Sequence, residues 1–121
     1  MKKVLIALGA TLAFVAQASG SFPDKPVNII VPFPAGGSTD TVARALALSM
    51  GEQLGKSFVV ENRPGATGTI GAGAVKRAPA DGYTLLVASL GPFVVTPHLV
   101  KSIPYDATKD FDYITIPVQA P

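Results

Sequence analysis

The chain of 121 residues contains no cysteine, one histidine and no apolar run long enough to span a bilayer. Without cysteine, a small disulfide-stapled secreted module is excluded, and the fold must rely on its core. Thiol catalysis and thiolate metal sites fall with it. There is no G-x-S-x-G elbow, and no His or carboxylate cluster at metal-ligand spacing, so the usual hydrolase chemistries lack their parts. His98, beside Pro97, reads as a surface residue. No catalytic residue, metal or cofactor is expected.

Net charge is also scarce once the start of the chain is set apart. Met1-Lys2-Lys3 is a basic n-region, Val4 to Val15 is an apolar run of 12 residues, and Ala16-Gln17-Ala18 is an A-x-A cleavage site. This is the pattern of a secretory signal peptide over residues 1–18, too short for a membrane anchor. Ten Lys and Arg less Lys2 and Lys3 leaves eight, against eight Asp and Glu, so residues 19–121 are formally neutral. The apparent basicity belongs to the export segment and gives no argument for nucleic acid. The dilysine start points to a bacterial periplasm, with no stable membrane insertion after cleavage.

What is present gathers around Val31-Pro32-Phe33-Pro34-Ala35-Gly36-Gly37-Ser38-Thr39-Asp40. The apolar run Val27 to Val31 leads in and reads as a strand buried on both faces. A helical pattern, Thr41 to Leu54, leads out. Ser38 or Thr39 is the expected N-cap; Val42, Leu46, Met50 and Leu54 are the expected buried stripe; Gly55 is the stop. A strand that turns sharply into a helix start presents free backbone N–H groups and partial positive charge. Glycines let a ligand come close, so the loop is read as the seat of a carboxylate. Asp40 is its one acid, and helix capping is the preferred role over ligand contact. Arg44 reads as solvated, and Arg63, beside Pro64, as a brace for its loop.

Further along, Phe58 to Asn62 is a second strand, Arg63 to Gly68 a second glycine-rich loop, and Thr69 to Ala78 a short helix of small residues. Asp81-Gly82 is a turn, Tyr83 to Ser89 a third strand, Thr96 to Lys101 a short helix capped by Thr96, and Phe111 to Ile116 a fourth strand. Alternation of this kind gives βαβαβαβ and a parallel sheet with right-handed crossovers. Both glycine-rich loops then lie at the carboxyl edge, where ligands bind. Gly65 to Gly71 also fits a G-x-x-G-x-x-G nucleotide pattern, but no acid ends the next strand, so a second wall of a small-anion site is preferred. Gly51 to Ser57 imitates a P-loop but ends a helix and is set aside.

The motifs just quoted, with Phe22-Pro23-Asp24-Lys25-Pro26, Val60-Glu61-Asn62-Arg63-Pro64-Gly65-Ala66-Thr67-Gly68, Asp81-Gly82-Tyr83-Thr84-Leu85-Leu86 and Ile103-Pro104-Tyr105-Asp106, resemble the Bug family. These are the TctC-like solute-binding proteins of tripartite tricarboxylate transporters. The resemblance implies a type II periplasmic-binding-protein-like fold of two α/β lobes closing on a small organic carboxylate or similar metabolite. It implies membrane transporter subunits as partners, and a ligand held largely by backbone groups and waters. Position by position, Phe33, Pro34, Ala35, Gly36, Gly37, Ser38, Thr39 and Asp40 would be the clamp of the first lobe. Thr67, Gly68 and Thr69, and Ser89 to Gly91, would be neighbouring walls. Family members are longer, so residues 19–121 are expected to be a partial first lobe, with a non-functional truncated remnant and a nucleotide-binding enzyme fragment as the alternatives.

Overall fold

The structure, a computed structural model, describes residues 20–119; the expected signal peptide lies outside them. Three strands form one sheet: β1 (Val27–Val31), β2 (Phe58–Asn62) and β3 (Thr84–Leu86). The order is β2-β1-β3, all parallel, with Ile29 opposite both Val60 and Leu85. Helix α1 (Ser38–Leu54) connects β1 to β2, and α2 (Thr69–Arg77) connects β2 to β3. Those two connections run across the sheet in opposite directions. Right-handed crossovers therefore place the two helices on opposite faces, and the order reverses at β1.

Side chains alternate across a strand, and the alternation sorts the core. Ile29 and Val31 are buried with Ala43 and Ala47 of α1, and Phe58, Val60, Leu85 and Val87 pack around them. The alanines displace the expected stripe by one residue. Val42, Leu46 and Met50 are only half-buried and Leu54 is exposed. Two methyl-sized side chains bring the helix axis closer to the sheet than a leucine stripe would. Each buried Ile or Val still contributes about 1.5–3 kcal/mol relative to exposure. On the other face Ile30 is buried but Asn28 is exposed, so only part of β1 is covered on both sides.

Helix α2 comes closer still. A Cβ on Gly71 would lie 2.7 Å from Pro32 Cβ and 2.9 Å from the Arg63 carbonyl oxygen. The helix thus rests directly on the backbone that enters the first loop. Its last turn carries Lys76 and Arg77, as expected for the helix dipole, and Lys76 pairs with Asp110 at 3.0 Å. At the other end of the sheet, Tyr83 packs edge-on against Phe22 and its hydroxyl donates to Asp24, which fastens the lead-in segment.

Four expectations are corrected. The cap of α1 is Gly37, with extended φ/ψ and no side-chain hydrogen bond, rather than Ser38 or Thr39. The third strand is only three residues long. A wide π-type turn, Gly91–Val95, runs straight into α3 (Thr96–Leu99), so Thr96 lies inside helical backbone instead of capping it. The fourth strand does not form. Phe111 to Ile116 has no sheet partner, and Ile114 and Ile116 are 79% and 73% exposed. Phe93 packs edge-on against Phe111 and Tyr113, and the Tyr113 hydroxyl donates to the Ala107 carbonyl, so this segment packs on the turn after β3 instead of extending the sheet. The α/β parallel class stands, as βαβαβ followed by a short helix.

The contact of α2 with Pro32 and Arg63 can be checked by substitution. Gly71→Ala is expected to lower stability by about 1–3 kcal/mol, because backbone atoms cannot move aside. Gly37→Ala, whose Cβ would sit 3.5 Å from Pro34 O, is expected to cost less, about 0.5 kcal/mol from the poorer cap alone. Urea midpoints of the two variants decide it; equal midpoints would show that α2 does not approach so closely.

Candidate functional site

The carboxyl end of β1 is the place where an open sheet of this order receives a ligand. Three segments meet there. Phe33 to Asp40 leaves β1, the turn Ala66–Gly68 precedes α2, and Gly91 to Thr96 follows β3. Gly68, at φ +92°, sits at their junction: a Cβ there would lie 2.6 Å from Pro92 and 3.5 Å from the Phe33 ring. The Thr67 and Thr96 hydroxyls are 3.4 Å apart. Ala66 and Thr67 both hold positive φ, at +46° and +56°. For a β-branched residue such backbone is costly, and it persists only where neighbours enforce it.

Within the first loop, Gly36, Gly37 and Ser38 are exposed and Thr39 is half-buried. The N–H groups of the first helical turn have no acceptor within α1. The loop thus places exposed residues whose N–H groups lack an intrahelical acceptor at the positive end of a helix of 17 residues. Phe33 is half-buried, while Pro34 and Ala35 are exposed. In the second wall Thr67 is exposed, but Gly68 and Thr69 are buried, and the Thr69 hydroxyl donates to Ala66 O at 2.9 Å. Ser89 is exposed and Gly91 is half-buried at the start of the π-type turn.

Asp40 faces inward. It is 3% exposed and accepts three hydrogen bonds: from Gly36 N–H at 2.8 Å, Arg44 Nε at 2.9 Å and Asn62 Nδ2 at 2.9 Å. The Arg44 guanidinium, followed by the Gly36 and Asn62 donors, holds its carboxyl well below the usual carboxylate range. Its helix-end role is thus that of a loop anchor. Arg44 is not merely solvated, since it also donates to Asn62 Oδ1 at 3.1 Å. Arg63 braces its loop differently from expectation. Its side chain pairs with Glu61 at 2.7 Å, an exposed pair of little weight, while its N–H extends the ladder to Val31 O.

Asn62 is the residue that sequence reading passed over. Its Nδ2 also donates to the Phe33 carbonyl at 3.1 Å, so one amide ties both ends of the first loop to the end of β2. Two acceptors on one side and a guanidinium on the other leave only this orientation of the amide. The only signal in the sequence was a polar residue closing an apolar strand.

Two shallow concavities, of about 670 and 560 Å³, lie elsewhere. One runs along α1 and β2 past Leu48 and Phe58, and the other lies between Pro97 and Thr108. Neither includes the first loop. Among the described residues no group of three or more His, Asp or Glu is placed to hold a metal ion.

An open parallel sheet with loops converging over its central strand is the architecture of an α/β ligand-binding lobe. The chain belongs to the tripartite tricarboxylate transporter family receptor (TctC) family, whose profile matches residues 42–121. Protein BugT of Bordetella pertussis is 44% identical over 115 residues, covering 91% of this chain and 35% of that protein. Among solved structures, MatC from Rhodopseudomonas palustris with bound malate is 42% identical with a TM-score of 0.71, covering 74% of this chain and 31% of that one. An R. palustris protein with adipate is 38% identical with a TM-score of 0.70, covering 72% and 29%. The chain thus spans about a third of the length of the relatives it matches, and its sheet is an incomplete lobe.

The Asp40 anchor has a pH signature. A carboxyl whose folded pKa is depressed stabilises the fold above its unfolded value, 3.8, and that contribution is lost as pH falls below it. Asp24, Asp106 and Asp110 are lowered too, so they share the acid sensitivity. Asp40→Asn is expected to lower stability at about pH 6 while shrinking the further loss at about pH 3. Urea midpoints at both pH values measure this; an unchanged difference between them would remove Asp40 as an anchor.

Proposed function

We propose that this chain forms one wall of a receptor site for a small organic carboxylate, in an extracytoplasmic binding protein that passes its ligand to membrane transporter subunits. It carries out no chemistry on the ligand. The observation that carries this reading is the open start of α1: Gly36, Gly37 and Ser38 lie exposed at the carboxyl end of the central strand, while the loop's only acid is turned inward and paired. An anion approaching there meets oriented N–H donors and no competing carboxylate. Malate and adipate in the two related structures support the ligand class. The pattern at Met1 to Ala18, together with the periplasmic relatives, supports export to the periplasm.

The clamp in this reading is Phe33 to Asp40, with Asp40 acting from beneath. Thr67 stands exposed on the second wall, its hydroxyl donating to Ala66 O at 2.6 Å with only its lone pairs left for a ligand donor, and Ser89 and Gly91 bound the third side. Gly68 and Thr69 contribute by shaping that wall, since both are buried. The nucleotide alternative has less support, since Gly68 is packed against Pro92 and Phe33 and no acid ends the strand that follows α2.

Titration calorimetry of the purified chain against malate, adipate, succinate, citrate and aspartate tests the proposal. Heat is expected from at least one dicarboxylate. Gly37→Val is expected to weaken that binding at least tenfold, about 1.4 kcal/mol, by placing methyl groups over the donors. Its backbone is already in an extended conformation open to any residue, so only the modest loss that goes with a poorer helix cap is expected in thermal stability. No heat from any member of the panel, or full binding by the valine variant, overturns the reading.

A further inference from the structure

We infer that Asn62 is a positioning residue for the carboxylate loop, and that its bond to the Phe33 carbonyl fixes the direction in which the loop's N–H groups point. The inference rests on the carboxylate-site reading of the same loop.

Three observations carry it. Asn62 is the last residue of β2 and the root of the second wall, yet its side chain is spent entirely on the first loop and its anchor. Its amide holds Phe33 O at 3.1 Å and Asp40 Oδ1 at 2.9 Å, so it spans the loop from one end to the other. Asp40 in turn holds Gly36 N–H at 2.8 Å, which turns that donor inward, while Gly37 and Ser38 beside it stay exposed. Loosening the Phe33 carbonyl frees the peptide planes between Phe33 and Gly36, where Gly36 at φ +86° gives the chain a pivot. The donors would then average over several directions, and a ligand would have to order them on binding.

A charge swap separates positioning from simple stability. In Asn62→Asp alone, two carboxylates meet beside Arg44, and the fold should be destabilised. In the double variant Asp40→Asn with Asn62→Asp, the amide introduced at position 40 can accept from Gly36 N–H and donate to the carboxylate introduced at position 62. Arg44 keeps an acid partner. The Phe33 carbonyl still loses the donor that Asn62 gave it. The expected result is a melting temperature above that of Asn62→Asp alone, with malate binding still at least tenfold weaker than in the parent. Recovery of affinity together with stability would overturn the inference, as would an affinity unchanged in Asn62→Ala.

A second readout needs no ligand. Amide hydrogen exchange of the full chain should show Gly36 protected in the parent and at least tenfold faster in Asn62→Ala, with Ile29 and Val31 unchanged. Equal exchange at Gly36 overturns the latch even if malate binds. Absence of malate binding by the parent counts against the carboxylate reading, and the exchange data then still decide the role of Asn62.

Discussion

A carboxylate withdrawn from water must be met by donors, and the Asp40 side chain has three of them. Each comes from a different place: the loop backbone, the next turn of α1 and the end of β2. Removing any one leaves a buried acceptor short of a partner, which costs about 1–3 kcal/mol. The loop shape, the start of α1 and the spacing of β1 from β2 at their carboxyl ends are therefore set together. Asp40, in the first turn of the helix, reaches back past the cap to the Gly36 N–H, and Gly37 caps α1 without a side-chain oxygen.

Close packing supplies the second constraint. Gly71 lies against Pro32, and Gly68 lies under Pro92 and Phe33. In both places a glycine meets a proline ring, a pairing of least bulk with least flexibility. Pro32 is met by Gly71 of α2, and Pro92 by Gly68 of the turn that leads into it. The second glycine-rich segment thus acts mainly as a seat for the other two, and its strained Ala66 and Thr67 are what that seat demands of the backbone.

Much of this was legible in the residues. The bounds of β1 and β2 follow from apolar runs ended by proline, glycine or a polar residue, and Gly55 closes α1 in the left-handed conformation its type allows. Hydrophobic spacing misplaced the buried stripe because it weights leucine above alanine, whereas Ala43 and Ala47 face the sheet. The expected fourth strand was an apolar run with no partner, and periodicity does not report partners. Asn62 was invisible for a related reason. Its bonds reach 29 and 22 residues back along the chain, and no local pattern encodes a contact at that distance.

The charge balance of the loop shows why an acid can sit beneath a surface of positive potential. An unpaired Asp40 would cancel the half charge at the start of α1 and repel an anion. With Arg44 one turn along, at 2.9 Å, the two formal charges offset each other at short range. What remains outside the loop is the field of the aligned peptides, the weakest of the three contributions and the only one with a fixed direction. Arg44 itself is half-exposed, so its attraction to a distant anion is screened by solvent. Gly37 and Ser38, by contrast, lie exposed on a backbone that Asp40 and Asn62 hold at both ends. In the carboxylate reading, orientation counts for more at this end of the sheet than net charge.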